Sequence, residues 1–334
     1  MNYYSGDVFC EAFAAAYFPE QKVKPTLFKH GDSLWKIPAV DGIKPISEFP
    51  FQSSYIDFYE PYIPERDSAV NHSAKAIGYI PRVSHDLISA DKWHQSSLGD
   101  IYEPAPTILW DNFATWDDFV NHVRTKRSNM FSDSRRRCRK LGREVGPVEF
   151  IYDDQRPEVL ETCIRWKSEQ YRRSGFVDTF SFDEHVQFFR EMANRGVTVV
   201  SSLNCGDQLI AAEIDILAND RLGLWIPAYD TQYGAYAPGR LLLLFLLEES
   251  FKRDHKEFDF LIGDESYKWY YATHTRLVGE VGKRPLSARA KQALRTSVKS
   301  ALLLAVSPFP NLQPKLKSTF EAFNAKMYEL SSKQ

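Results

Sequence analysis

The hydrophobic positions between residues 115 and 285 change their period in an order that predicts helices followed by strands. In Glu158–Ser174 the apolar residues recur close to every 3.6 positions, the period of an amphipathic helix, and Phe182–Arg195 is a second predicted helix. Three strand-like runs follow, separated by polar turns, which is the pattern of antiparallel strands joined by short hairpins. These runs are Val197–Leu203, Gln208–Leu217 and Arg221–Ala228.

The next segment, Arg240–Arg253, is a predicted helix that begins with a wholly apolar stretch. Leu241–Leu247 contains no polar residue, so this helix should be buried on most sides. Short predicted strands at Glu257–Ile262 and Leu277–Gly282 complete the pattern. Together these elements predict an α+β fold with mixed, mostly antiparallel sheets flanked by helices.

The two ends of the chain differ from this central part. Residues 1–112 are rich in Tyr, Phe and Pro, which predicts short strands and loops after a first amphipathic helix at Val8–Phe18. Asp7 and Glu11 lie where a secretory signal would carry positive charge and an unbroken apolar core, so we interpret this helix as part of the fold. Two further helices are predicted near the C-terminus. We therefore divide the chain into residues 1–112, 113–285 and 286–334.

The charge balance hides two basic segments. Forty-two Lys and Arg face 44 Asp and Glu, so a uniformly basic nucleic-acid-binding protein is excluded. Arg124–Arg143 nevertheless carries nine basic residues and one acid, and Val281–Phe320 carries eight and none. The first segment is either a solvated helix face or a site for phosphates, tRNA or an anionic polysaccharide. The basic tail helix at Ser287–Val306 either packs against the protein or lies peripherally on an anionic membrane surface.

The cysteines and histidines show no metal-ligand spacing. The four cysteines are scattered without a C-x-x-C pair, which predicts free thiols in a reducing compartment and no structural zinc. The longest apolar runs, Leu241–Leu247 and Ala301–Val306, are far shorter than the roughly 18 residues that span a bilayer. We therefore expect a cytoplasmic monomer that needs no metal.

Two stretches carry candidate chemistry. At Tyr229–Leu241 a strand leads through a loop into a helix start, where free backbone N–H groups favour an anion such as pyrophosphate. Gly239 permits close approach there and Arg240 adds a positive charge, although an ordinary strand-to-helix turn has the same pattern. Further along, the strand Phe258–Ile262 leads into a cluster that offers a general base, a proton donor and a cation. This cluster, alternatively a solvated loop, consists of Asp264, Glu265, Tyr267 and Lys268.

Aromatic residues are abundant, with 7 Trp, 17 Tyr and 23 Phe, and many lie in these two stretches. Flat rings there suit a pocket that stacks on a sugar or shields an acyl arm. The rings expected in this cleft are Trp225, Tyr229, Tyr233, Tyr236, Tyr267, Trp269, Tyr270 and Tyr271.

Seven segments occur in the order seen in one known family: Arg135–Arg143, Trp166–Tyr171, Gln208–Glu213, Trp225–Asp230, Tyr236–Gly239, Phe258–Phe260 and Gly263–Trp269. Taken together they resemble the CelD-type cellulose and exopolysaccharide biosynthesis family of the GNAT superfamily, which is related to the FemAB-like peptidyltransferases. The resemblance covers about residues 115–285 and is faint over residues 1–112. It implies a tandem GNAT-like fold whose degenerate first copy is residues 1–112.

The resemblance also implies a co-substrate, acyl-CoA, and its position. Two neighbouring strands of such a domain separate to admit the thioester. The pantetheine arm would follow the third predicted strand at Trp225, Ala228 and Tyr229. One departure from the family is that a single glycine stands near the helix start, next to a proline that lacks an N–H. The pyrophosphate would lie at Tyr236, Pro238, Gly239, Arg240 and Leu241.

The implied reaction is direct acyl transfer to an amine or hydroxyl, and the resemblance suggests a sugar or sugar-derived acceptor. Glu213 is a candidate base, with Asp264 and Glu265 as rivals. Tyr267 is a candidate proton donor to the leaving thiolate, and Lys268 would either hold an anionic substrate or pair with Asp230 or Asp259. Two other functions fit the sequence, a FemAB-like transferase that uses aminoacyl-tRNA and a non-catalytic binding module.

Overall fold

The predicted helices and strands of the central part all form in the computed structural model, which describes residues 3–49, 51–63 and 74–286. The described α-helices are α1 (Asp7–Tyr17), α2 (Ala90–His94), α3 (Trp116–Lys126), α4 (Met130–Glu144), α5 (Pro157–Ser174), α6 (Asp183–Asn194), α7 (Pro238–Lys252) and α8 (Lys268–Tyr271). The described strands are β1 (Val23–His30), β2 (Ser33–Val40), β3 (Lys44–Pro45), β4 (Lys75–Ala76), β5 (Tyr79–Ser89), β6 (Glu103–Leu109), β7 (Val148–Ile151), β8 (Thr198–Cys205), β9 (Gln208–Ala218), β10 (Arg221–Tyr229), β11 (Glu257–Asp259) and β12 (His274–Gly282).

An eight-stranded mixed sheet in the order β5-β12-β6-β11-β10-β9-β8-β7 organises the fold. The predicted meander is confirmed, because β8, β9 and β10 pair antiparallel in sequence order. Only β10 and β11 run parallel among the described strands of this sheet. The predicted α+β class with mixed, mostly antiparallel sheets flanked by helices is therefore confirmed.

Helices cover both faces of this sheet. α7 packs its leucines, among them Leu242 and Leu246, with α3 and α4 against one face. α1, α5 and α6 cover the other face with buried side chains such as Phe13, Val159 and Phe189. The predicted burial of α7 on most sides is confirmed, because Leu241, Leu242, Leu243, Leu246 and Leu247 are all buried.

Local signals place several element boundaries. Thr115 caps α3 in a capping box with Asp118. The strand predicted at Glu257–Ile262 ends earlier, at Asp259, because Leu261 has a positive φ of 56° that breaks the extended backbone.

Strand pairing crosses the predicted division at residue 112. β1 to β4 form a separate four-stranded sheet, whereas β5 and β6 belong to the large sheet and β6 lies between β11 and β12. The division into three parts stays a prediction. The predicted tail helices and their membrane contact lie outside the described residues.

The described residues contain no helix long and apolar enough to cross a membrane. All four cysteines are free thiols, as predicted.

A buried ion-pair cluster joins β10, β11 and β12, and consists of Arg221, Arg276, Glu60, Glu257 and Asp259. Arg221 lies 2.9, 3.1 and 3.3 Å from Glu60, Glu257 and Asp259, and Arg276 pairs with the same three carboxylates. Burial opposes ionisation of Glu257, yet hydrogen bonds from Arg276 hold its pKa below its usual range. Burial raises the pKa of Asp259 to about 6. The cluster therefore ties the short strand β11 to its neighbour β10 and, across β6, to β12.

Replacing one arginine of this cluster should destabilise the protein strongly. Arg276→Met leaves three carboxylates facing Arg221 alone, and breaking a buried pair in this way costs about 3–5 kcal/mol of unfolding free energy. Arg173→Met is the matched control, because Arg173 pairs with Glu169 at the surface of α5, where the loss is below ~1 kcal/mol. Urea denaturation measures both, and equal losses would contradict a structural role for the cluster.

Candidate functional site

The parallel strands β10 and β11 separate shortly after they meet. They pair at three positions, Arg221–Glu257, Leu222–Phe258 and Gly223–Asp259. Gly223 is required at the last position, because a Cβ there would lie 2.8 Å from the Ile216 side chain. Beyond it β10 carries a bulge at Trp225, and no described strand pairs with this edge of β10. Beyond Gly223, the carbonyls of Ile226 and Pro227 accept hydrogen bonds from Cys163 and Lys167 of α5.

A cavity of about 300 Å³ opens where the two strands separate. β10, the residues after β11, α5 and the segment 54–57 of the N-terminal part contribute its walls. The lining residues are Ser54, Tyr55, Asp57, Lys167, Tyr171, Thr179, Leu224, Trp225, Ile226, Pro227, Phe260, Leu261, Ile262, Glu265, Tyr267 and Lys268. The cavity therefore combines carboxylates, ammonium groups and aromatic hydroxyls.

Four predicted site residues meet in this cavity: Trp225, Glu265, Tyr267 and Lys268. Burial, together with the nearby carboxylates, raises the pKa of Tyr267, so that its hydroxyl keeps its proton. Tyr267 is therefore present in the cavity as the protonated phenol.

Lys268 has its hydrogen-bonding capacity filled. Its ammonium lies 2.9 Å from Glu265 and donates to the carbonyls of Ile262 and Leu261 at 3.0 and 3.5 Å. The predicted pairing of Lys268 with Asp230 or Asp259 is wrong. Lys268 is the first residue of α8 and pairs with Glu265, three residues before it, while Arg221 and Arg276 hold Asp259.

Asp264 does not occupy the position expected of a general base. Its carboxylate accepts a hydrogen bond of 2.7 Å from the indole of Trp269, and it does not line the cavity. Trp269 in turn stacks on Trp93. Of the rings predicted in the cleft, only Trp225 and Tyr267 line this cavity. The other aromatic residues that line it are Tyr55, Tyr171 and Phe260.

Glu213 and Asp215 form a buried carboxyl pair on β9. Glu213 is 1% exposed and Asp215 is fully buried. Oε1 of Glu213 and both carboxyl oxygens of Asp215 have no hydrogen-bond partner among the described residues. Burial, and then repulsion by Asp215, raises the pKa of Glu213 well above its usual range, and burial raises the pKa of Asp215 as well. Glu213 does not line the cavity and is protonated to higher pH than an ordinary glutamate.

The start of α7 lies next to β10, as the predicted anion site requires. Ala237 has a left-handed φ of 55°, and a Cβ on Gly239 would lie 3.3 Å from the ring of Tyr229. The side chains of Ala228, Pro238 and Leu241 are buried, so a ligand at this helix start would contact only the backbone atoms of these residues.

An ion pair that the sequence analysis did not predict neutralises part of the charge at this helix start. Asp133, the single acid in the basic segment, pairs with Arg240 at 2.6 Å and also with Arg136 and Arg137. Hydrogen bonds from these three arginines hold the pKa of Asp133 well below its usual range. Arg137 also donates to the carbonyl of Ala235 at 2.5 Å, so α4 covers the loop before α7.

The rest of α4 presents unpaired positive charge. Arg135, Arg139 and Arg143 are exposed and follow one another at every fourth position, which places them on one face of the helix. None of them forms an ion pair with a described residue.

Residues 128–269, from just before α4 to within α8, match the family model described as an acetyltransferase (GNAT) domain. The match supports a GNAT-superfamily fold for this part of the chain. The match includes both strands that separate and the helix α7 that follows β10. No curated protein sequence matches the chain.

Several solved structures are similar over most of the chain. FemX is 10% identical with a TM-score of 0.48, covering 83% of this chain and 90% of its own. L-PGS from Bacillus licheniformis is 10% identical with a TM-score of 0.45, covering 89% and 98%. A tandem GNAT protein from the clavulanic acid biosynthesis pathway is 9% identical with a TM-score of 0.34, covering 77% and 82%.

Within the described residues, no group of three or more His, Cys, Asp or Glu side chains is arranged to hold a metal ion.

Asp215→Asn should flatten the dependence of stability on pH. Unfolded Asp215 ionises near its ordinary pKa of about 3.9. Burial keeps the folded carboxyl protonated at higher pH, so the unfolded state loses its proton first. Wild-type stability therefore falls as the pH rises from this value towards the folded pKa, by up to about 1.4 kcal/mol per pH unit.

The non-titrating variant lacks this loss, so its unfolding free energy relative to wild type should increase with pH in urea denaturation. Asp207→Asn, in the exposed turn between β8 and β9, is the control and should run parallel to wild type. A constant difference between Asp215→Asn and wild type across the pH range would disprove a raised carboxyl pKa.

Proposed function

We propose that this protein transfers an acyl group from acyl-CoA to an amine or hydroxyl of a small-molecule or glycan acceptor. The observation that carries the proposal is the separation of β10 from β11 around a cavity, within a GNAT fold. The unpaired edge of β10 offers N–H and C=O groups to the amides of an extended pantetheine arm, as an added strand would receive.

The pyrophosphate would bind at the start of α7. Pro238 supplies no N–H, but the N–H of Gly239 has no partner among the described residues and lies within the first turn of the helix. Because Asp133 occupies Arg240, the backbone and the helix dipole carry more of this binding than the sequence alone suggests.

The acceptor would enter from the side of Tyr55, Tyr171 and Thr179. Tyr55 and Thr179 are hydrogen bonded at 2.5 Å, and Tyr171 stacks on Phe180, so this wall is held in place. Rings and hydroxyls together suit a sugar, which offers apolar ring faces and hydroxyl groups. The sugar acceptor and the CelD-type relationship rest on this wall and on the sequence resemblance.

Of the three predicted bases, Glu265 has the best position. It lines the cavity, whereas Asp264 accepts a hydrogen bond from Trp269 and Glu213 is buried and does not line the cavity. We assign Glu265 as the acceptor of the proton from the attacking group and Tyr267 as the donor to the leaving thiolate.

Glu265→Gln should slow transfer about 10²–10⁴-fold, the usual contribution of a general base, because the amide cannot take the proton. Its side-chain oxygen can still accept from Lys268, so folding should be preserved. The adjacent Asp264→Asn is the matched control, because asparagine can still accept from Trp269. Release of CoA from acetyl-CoA with a panel of amino sugars measures both, and equal rates for Glu265→Gln and wild type would contradict the assignment.

Binding of the donor tests the proposed function directly. Acetyl-CoA and longer acyl-CoAs should give heat in calorimetry, and Gly239→Trp should lower the affinity at least about tenfold, or ~1.4 kcal/mol, by filling the space beside Tyr229. Ala76→Trp, exposed on β4 of the other sheet, is the matched control and should bind as wild type. No heat with any acyl-CoA would disprove the proposal.

The second candidate, an aminoacyl transferase that uses aminoacyl-tRNA, is favoured by the unpaired Arg135, Arg139 and Arg143 on α4. Three charges along about 12 Å of helix can follow successive phosphates. Uncharged tRNA in the same calorimeter separates the two functions. Tight tRNA binding that weakens steeply with salt would favour the aminoacyl transferase. Absence of such binding would favour the acyl-CoA-dependent transferase.

A further inference from the structure

The cavity contains two ammonium groups, and only one of them has its donors occupied. An ammonium carries three N–H donors. The three N–H donors of Lys268 face the carbonyls of Leu261 and Ile262 and the carboxylate of Glu265. Lys167 donates one hydrogen bond, of 3.2 Å, to the carbonyl of Pro227, and it forms no ion pair with a described residue. Two of its donors are therefore available to a ligand.

Lys167 belongs to α5, and its ammonium reaches the exposed edge of β10 from the neighbouring helix layer. The nitrogen lies 5.4 Å from the centre of the Tyr171 ring, which lines the same cavity. Burial lowers the pKa of Lys167, so removal of its charge from water has cost free energy. A negative charge that develops beside it recovers part of that cost.

Pro227 explains why a side-chain donor is needed at this place. A proline has no N–H, so the backbone of β10 offers no donor at this residue, and its carbonyl is already occupied by Lys167. For a carbonyl oxygen that arrives between the separated strands at this position, the Lys167 ammonium supplies the donor that the backbone of Pro227 lacks.

We infer that Lys167 donates to the acyl carbonyl oxygen of the bound thioester and stabilises the charge that forms on it. This inference rests on the proposed function. The attacking nitrogen or oxygen bonds to the carbonyl carbon, and the electron pair of the C=O double bond moves to the oxygen beside Lys167. The carbonyl then re-forms and the C–S bond breaks; Tyr267 protonates the departing thiolate, and Glu265 receives the proton of the acceptor. Removing such a donor usually slows turnover about 10²–10³-fold.

The carbon-13 resonance of the thioester carbonyl tests this without a known acceptor. Hydrogen bonding to the oxygen polarises the carbonyl, so acetyl-CoA labelled at that carbon should shift downfield when it binds wild-type protein. In Lys167→Met, which keeps the apolar stem beside Tyr171, the resonance should return close to its position in free acetyl-CoA while the affinity changes little. Lys167→Arg, which restores a donor, should recover much of the shift.

Arg165→Met is the matched control, because Arg165 is exposed two residues away on α5 and hydrogen bonds only to Thr162 there. It should leave the shift unchanged, and thermal denaturation checks that each variant is folded. A shift that persists in folded Lys167→Met overturns the inference and leaves the proposed function intact. Failure of wild-type protein to bind acetyl-CoA or any longer acyl-CoA overturns the proposed function, and this inference with it.

Discussion

The geometry of the candidate site depends on the buried ion-pair cluster that ties β11 to its neighbour β10 and, across β6, to β12. A parallel pair of three residues is too short to hold itself by backbone hydrogen bonds alone. Arg221 on β10 joins the two strands through Glu257 and Asp259 on β11. Arg276 reaches the same two carboxylates from β12, and Glu60 adds a carboxylate from the N-terminal part. Because the pair is fixed at one end, the bulge at Trp225 can bend β10 away and open the cavity.

This arrangement makes the N-terminal residues part of the site. β6 pairs with β11 on the side opposite β10, so it takes the place of a sheet neighbour that residues 128–269 do not supply. Tyr55 and Asp57 line the cavity, and the OH of Tyr4 donates to Asp57 at 3.5 Å. The GNAT-matching segment therefore carries the separated strands, while the preceding residues complete the sheet and one wall.

Charge neutralisation decides which polar groups remain available to a ligand. Asp133 occupies Arg240 and Glu265 occupies Lys268, so two cations that stand out in the sequence are largely occupied. Lys167, to which no sequence pattern assigned a site role, keeps free N–H donors. Asp215 escaped notice for a similar reason, because a carboxylate on a strand is ordinary until the fold buries it without a partner.

The sequence by itself determined the local elements and their order, because periodicity, turn residues and the Thr115 cap act over a few residues. It also marked the loop before α7 and the cluster after β11 as the places where chemistry was to be expected. Only the tertiary structure decided which members of those groups meet. Asp133 and Arg240, or Tyr55 and Thr179, are more than a hundred residues apart, and no local pattern records that they touch. Burial then sets the charge and the free donors of each group, and burial is a property of the folded chain.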